Sequence, residues 1–334
     1  MNGRLRVGWA TSSTLRAGRA TFRGLETSVA MRIANVARWL NRNTRLQNEL
    51  YRRGARYDVV VFVKAMDEVA RTEAERVRAG GGKVVFDANV NYYEIWGEYD
   101  IPGTRPTEEQ QRDAEAMTRG ADAVVTDSSY LLGIVRRFNE RSEWIPDNVD
   151  LSVFRPRPTH HGRGLRLVWS GRSQKARPLT LLREPLETAG DVELVVVSDV
   201  RPPELDALDV ARCSYVPVSL REYARTLRSC DAIVSPKRLV NGYELGHSEW
   251  KITLGMGAGL PAVASPQQSY VEAIGARGGG IVADSAEEWA EAFERLRDPA
   301  ERANLGARAR QTVEDLYSTP VVARRYGEFL LGVA

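Results

Sequence analysis

Three short runs in this chain, VVVFV at 59–63, LVVVS at 194–198 and AIVS at 232–235, are apolar and β-branched almost from end to end. A strand with one wet face alternates apolar and polar residues, whereas a strand covered on both faces has no reason to. Such runs imply parallel sheets flanked by helices, because parallel strands need long crossover connections and helices supply them. The rest of the chain follows suit. Expected strands are 4–10, 58–63, 83–88, 123–126 and 143–146, then 165–170, 193–198, 214–218, 232–236 and 261–265. Helix signals fall between them. Ser219 with Glu222 and Ser285 with Glu288 have capping-box spacing. Trp289, Ala292, Phe293 and Leu296 recur at i, i+3, i+4 and i+7 as one apolar helix face.

The alternation is interrupted once. Residues 146–164, PDNVDLSVFRPRPTHHGRG, hold three prolines, two glycines and no periodicity, the marks of a linker. It separates two halves of about five strands each, with no sequence repeat between them. The expected fold class is α/β, with a first domain over 1–150 and a second from 151 onward. Two doubly wound sheets facing each other place a cleft at the carboxyl ends of their strands, where such sheets bind ligands.

At 334 residues the chain has apolar material for two cores. No apolar run approaches the length of a bilayer span. MNGRLRVGWAT at the start reads as a strand and not as a signal peptide, so a cytoplasmic protein is expected. Cys213 and Cys230 are too few for a disulfide framework or a zinc site. The histidines are His160, His161 and His247, with none in the first 159 residues. Net charge is only +3, but ten arginines and two acids, Glu26 and Glu49, fall between Arg16 and Arg56. Such a stretch suits an anionic partner. Within it Val29, Ile33, Val36, Ala37 and Leu40 form an apolar stripe beside Arg32, Arg38, Arg42 and Arg45, a pattern suited to peripheral contact with an anionic membrane. No nucleic-acid partner is expected.

The sharpest chemical feature is the first loop of the second half. The strand LRLVWS ends at Gly171, and Arg172, Lys175 and Arg177 follow before Pro178 opens a helix. Backbone N–H groups, a helix dipole and fixed cations together suit a diphosphate. A second feature is Gly246-His247-Ser248-Glu249-Trp250-Lys251, with Ser248 expected as the helix N-cap and Gly259 as the residue after its end. Lys251 in a first turn opposes the helix dipole unless an anion binds there. Of 47 basic residues only Lys64, Lys83, Lys175, Lys237 and Lys251 are lysines, and all but Lys83 fall at or just beyond the carboxyl end of an expected strand. In the first half, Asp87 to Tyr99 mixes Tyr92, Tyr93, Trp96 and Tyr99 with Asn89, Asn91, Glu94 and Glu98. Aromatic faces beside amides and carboxylates suit a sugar; an aromatic plug under a loop is the alternative. No G-x-G-x-x-G, no G-x-x-x-x-G-K-[ST], no D-x-D and no G-x-S-x-G occurs.

Several stretches are similar to a known family. ADAVVTDSSYLLGIVRRF with WIPDNVDLSVFRP resembles the end of the acceptor domain and the linker of family 4-like (group 1) glycosyltransferases, which carry "IPNGVD…F.P" there. LVWSGRSQKA resembles their "GR…KG" donor loop, and SEWKITLGMGAGLPAVASPQQSYVEAI their "GlPVvas" segment with its preceding helix. DPAERANLGARARQTVEDLYS resembles their closing helices. The match covers 121–334 well and the N-terminal region in outline. It departs at the family's glutamate pair, whose positions are Gly246 and Leu254 here. Ser248, Lys251, Ser269 and Tyr270 fit instead a divergent subgroup with a Ser-x-x-basic element and a later Ser-Tyr.

The resemblance implies a GT-B fold, two facing Rossmann-like domains. The first, 1–150, would bind the acceptor, the second, 151–318, the nucleotide sugar, and a last helix, 319–334, would cross back. It implies transfer of a sugar from a nucleotide diphosphate donor to the hydroxyl of a glycan, lipid-linked or small-molecule acceptor, with retention and with neither metal nor cofactor. Gly171, Arg172, Lys175, Lys237, His247, Ser248, Lys251, Ser269 and Tyr270 would hold the donor, Arg172 and Lys175 stabilising the leaving diphosphate. Arg16, Arg19, Asn89, Asn91, Tyr93 and Glu94 would meet the acceptor. A donor phosphate oxygen would take the acceptor proton, since no histidine is available on that side; Asp87 or Glu94 is the alternative base. A nucleotide-sugar epimerase on the same fold, or a degenerate binder without turnover, are the rival classes.

Overall fold

VVVFV becomes a central strand with all five residues buried. The computed structural model describes residues 4–17, 27–156, 164–208 and 212–334. In the first domain β1 (Leu5–Ala10), β2 (Leu46–Leu50), β3 (Val59–Val63), β4 (Lys83–Ala88), β5 (Ala123–Thr126) and β6 (Ser142–Trp144) form one parallel sheet in the order β2-β1-β3-β4-β5-β6. In the second, β7 (Leu165–Ser170), β8 (Val192–Ser198), β9 (Arg212–Pro217), β10 (Ala232–Ser235), β11 (Ala262–Ala264) and β12 (Gly280–Val282) form another, ordered β12-β11-β10-β7-β8-β9. Each described sheet thus has six strands where five are expected. The addition in the first is β2, a polar edge strand that buries only Leu46, Asn48 and Leu50. The addition in the second is β12, whose Gly280 comes so close to β11 that a Cβ would lie 2.2 Å from Ala262 O.

Helix caps follow the local sequence in part. Ser285 and Glu288 make the reciprocal box, whereas Ser219 accepts from the Glu222 N–H without the return bond. Trp289, Ala292, Phe293 and Leu296 are buried as one face. The apolar stripe of the helix Thr27–Asn43 has a different use from the one expected. Val29, Ile33, Val36, Ala37 and Leu40 are all buried in the first core with Val7, Val59 and Val61 of the sheet and Val322, Tyr326 and Leu330 of the last helix, Thr319–Val333. A face already covered by protein has none left for lipid, so the helix is not interfacial. Arg38, Arg42 and Arg45 remain exposed. No described helix is long and apolar enough to cross a membrane.

The chain crosses between the domains twice, side by side. The described first half of the linker is packed, with Val149 and Phe154 at 0% and 1% exposure. Val149 pairs with Ser318 in a parallel bridge, donating to Tyr317 O and accepting from Thr319 N–H. Beside these crossings Arg32 is buried in a charged network. Its Nε bonds both oxygens of Asp87, at 2.9 and 3.1 Å, its Nη1 donates to Asp147 and its Nη2 to Ile145 O. Tyr326 Oη of the last helix donates to Asp87 at 2.7 Å. Burial opposes the charge on Arg32, but Asp87 and Asp147 outweigh it and hold the guanidinium pKa above its ordinary value.

Replacing Arg32 by Met leaves the buried carboxylate of Asp87 and the half-buried one of Asp147 without their counter-charge. The expected cost is about 3–5 kcal/mol of folding stability, against about 1–2 kcal/mol for Tyr326→Phe, which loses one hydrogen bond. Urea unfolding of the two variants measures this; equal midpoints would show that the network carries no such weight.

Candidate active site

A doubly wound sheet opens a crevice where neighbouring strands send their connections to opposite faces. In the second sheet that point lies between β7 and β10, since β7 is flanked by β8 and β10. The loops leaving these two strands supply the cations expected from the sequence. After β7 come Gly171, Arg172 and Lys175; after β10 come Lys237, His247 and, on the helix Trp250–Gly257, Lys251. Lys175, Lys237, His247 and Lys251 line one narrow recess of about 10 Å³ together with Trp169, Tyr243 and Glu244. Gly171 lets the loop close over them: a Cβ there would lie 2.7 Å from the Trp169 ring and 3.1 Å from Lys251 Nζ. Lys251 Nζ sits 5.2 Å from the Trp169 ring centroid, and Lys175 Nζ donates to Tyr243 Oη at 2.6 Å. The segment after Lys175 is a 3₁₀ helix, Arg177–Leu182, and not the α-helix expected. A short 3₁₀ turn aligns few peptide dipoles, so the side-chain cations are the main source of positive potential here.

None of these lysines has a carboxylate at ion-pair distance among the described residues, whereas Lys83, outside the recess, pairs with Asp122. Their protonation reflects this. Burial, then Lys64 and Arg172, bring Lys175 down to about 8. Burial and Lys175 bring Lys237 down to about 8. Burial, then Lys237 and Lys175, push Lys251 well below the ordinary lysine value. Burial and the same lysines hold His247 far below the ordinary histidine range, hence neutral and a hydrogen-bonding group only. Lys64 acts from the other domain. It follows β3 at the corresponding crevice of the first sheet, with φ of +56°, and its N–H donates to Asp87 O. Glu244 in the same wall acts on Lys237 and Lys251 in the opposite sense, so the recess gathers half-buried cations around one carboxylate that lies beyond ion-pair distance.

Other expected site residues lie elsewhere. Ser248 does not cap the helix; Glu249 occupies that position without a side-chain cap, and Ser248 Oγ donates to Asp147 at 2.8 Å. Ser269 Oγ donates to His247 O and Tyr270 Oη pairs with Ser235, both buried, so they brace the loop behind the recess. Asp87 is 0% exposed and engaged by Arg32, Tyr326 and Asn89, so it is not free to act as a base. On the acceptor side, Asn91 donates to Gly242 O, Tyr93 Oη pairs with Thr118 and Glu94 pairs with Arg137. Asn89, Asn91 and Tyr93 are buried, which is the plug and not an open sugar platform. Arg16 is exposed and paired with Asp67, while Arg19 lies outside the described residues. Missed from the sequence were Tyr243, Trp169 and Ile101 in the recess wall; only the scarcity of lysine pointed to Lys64.

Neither a protein-family model nor a curated protein matches the chain. Solved structures do. A glycosyltransferase from Rickettsia africae ESF-5 superposes with a TM-score of 0.69 at 13% identity, covering 100% of this chain and 99% of that one. Anabaena Alr3699/HepE in complex with UDP gives 0.69 at 13% identity, covering 98% of this chain and 100% of that one. AviGT4, a glycosyltransferase involved in avilamycin A biosynthesis, gives 0.62 at 13% identity, with 98% of each chain covered. What is shared at this identity is the architecture: the chain has the GT-B fold, as its sequence resemblance implied.

Lysines with a folded pKa near 8 bind fewer protons than their unfolded counterparts between about pH 8 and 10.5, so their contribution to stability rises with pH across that window. At pH 7 the charge they carry opposes folding. Lys237→Met should therefore melt above the wild type at pH 7, with the gap closing by pH 10. Thermal melts across this range test it, and a gap independent of pH would contradict the depressed lysines.

Proposed function

We propose that the protein is a glycosyltransferase whose second domain holds a nucleotide diphosphate sugar with its diphosphate in the lysine recess. The observation that carries this is the gathering of Lys175, Lys237 and Lys251, all without carboxylate partners, at the crevice of a GT-B sheet. The Anabaena neighbour's structures hold UDP and UDP-glucose, which supports a donor of the same kind here. Arg172 and Lys175 lie on the loop that leaves β7 and stabilise the charge that develops on the leaving diphosphate as the glycosidic bond breaks. The acceptor hydroxyl, brought by the first domain, forms the new bond on the same face and passes its proton to a donor phosphate oxygen, giving retention. Such a reaction needs no metal, because fixed cations neutralise the leaving group, and no protein base, which suits a cleft where burial and the neighbouring lysines make the His247 imidazole a poor proton acceptor.

Calorimetric titration with UDP, GDP and dTDP, with and without chelator, tests donor binding, and product analysis with a panel of nucleotide sugars tests turnover and stereochemistry. Binding lost on chelation would remove the metal-free reading. Lys251→Ala should lower nucleotide affinity roughly ten- to hundred-fold, the worth of one charge-assisted contact. Its melting temperature should hold or rise, since a first-turn cation is locally unfavourable. Arg172→Ala should act alike, and the pair should be less than additive. A Lys251→Ala protein that melts several degrees lower and binds nucleotide normally would make this lysine structural.

A further inference from the structure

The aromatic segment after β4 reaches across the cleft and joins the second domain backbone to backbone. Gly97 and Asn241 form an antiparallel bridge, Glu98 N–H donates to Val240 O at 3.2 Å, and Asn241 Nδ2 donates back to Glu98 O at 2.6 Å. The join is close: a Cβ at Gly97 would lie 1.9 Å from Val240 O. Beside it Leu239 holds φ at +55°, one of two non-glycine residues in the left-handed region among those described. The segment ends at Asp100 and Ile101. Asp100 accepts from Arg177 at 2.9 Å and from Arg238, and Ile101 closes the wall of the lysine recess.

Arg177 belongs to the loop after β7 and Arg238 follows Lys237 after β10, so both flank the recess from the donor side. One carboxylate from the opposite domain holds both. A carboxylate between two guanidinium groups offers the charge and paired oxygens that a phosphate offers. We infer that Asp100 is an internal stand-in for a phosphate of the donor. Arg177 and Arg238 are then further donor-binding residues, and 97–101 is a lid that lifts as the donor takes them over. This rests on the diphosphate reading of the recess.

The lid is fastened for release. Its contacts are a few hydrogen bonds and part-exposed ion pairs, with the Arg177 side chain 56% exposed, and such pairs are weak and screened by salt. Ile101 is the buried apolar side chain of the segment, while Trp96 beside it keeps 42% of its surface exposed. The positive φ at Leu239 stores strain at the joint itself. With the lid seated, the recess of about 10 Å³ has room for no more than a water molecule, so a ligand enters only if the segment moves.

The test is calorimetric titration of UDP into the wild type, Asp100→Asn and Arg238→Gln, with hydrogen exchange at residues 97–101 of the wild type with and without UDP. Removing the competing anion raises the share of open protein, so Asp100→Asn should bind UDP roughly three- to ten-fold tighter. Arg238→Gln should bind it more weakly, and UDP should speed exchange at 97–101. Unchanged or weaker binding by Asp100→Asn, or slower exchange with UDP, would show that the segment is a fixed wall and not a lid. If none of the three proteins binds UDP, GDP, dTDP or pyrophosphate, the diphosphate reading fails, and the lid fails with it.

Discussion

The buried guanidinium of Arg32 is the point through which the parts of this protein are placed relative to one another. It comes from a helix of the first domain, and it is held by Asp87 at the end of β4, by Asp147 in the interdomain linker and by the carbonyl of Ile145. Tyr326 of the last helix closes on the same Asp87. The second oxygen of Asp147 accepts from Ser248, just before the helix that carries Lys251. One network thus runs from the end of the chain, through the first sheet and the linker, to the edge of the recess. Charges taken out of water are tolerated only when all partners are present in good geometry. Each of these segments therefore has to be in place for the others to be.

The recess follows the opposite rule. Lys175, Lys237 and Lys251 are brought together without counter-ions, and the cost appears as depressed lysine pKa values and a neutral His247. Beside Asp147 and Arg32, Glu249 and Asp127 bury carboxyl oxygens that have no hydrogen-bond partner among the described residues, and burial pushes both pKa values up. Where the network of Arg32 pairs its charges, the lysines of the recess have no carboxylate at ion-pair distance among the described residues.

The departure from the family's glutamate pair has a packing cause. Gly246 lies under the aromatic segment after β4, which straps across to the second domain, where a Cβ would stand 2.9 Å from the Cβ of Asn91, and Leu254 is buried in the second core. Neither position can offer a carboxylate to the recess. The buried carboxylate in its wall is Glu244 instead, held by the N–H of Val240. The same strap took up the polar and aromatic residues that read, in sequence, as a sugar platform. An amide such as Asn91 looks alike in sequence whether it meets a sugar or a backbone carbonyl, and only its neighbour 151 residues away decides between them.

The sequence by itself determined the class of fold. Continuous β-branched runs can only be strands covered on both faces, and period, caps and prolines are local properties that need no partner to be read. It also indicated the basic loop at Gly171–Lys175 and, through the scarcity of lysine, the lysines that gather beside it. It did not show the edge strand β2, whose polar residues carry no run, or that the stripe from Val29 to Leu40 faces a core and not a membrane, because an amphipathic helix has the same pattern over either surface. Tertiary structure alone decided which charges are paired. Arg32, Asp87 and Asp147 are 55 and 115 residues apart along the chain and form ion pairs, while the recess lysines gather around Glu244 with no carboxylate at ion-pair distance among the described residues. Pairing is a property of distance in space, falling off over a few ångströms, and residue type fixes only the sign of the charge that arrives there.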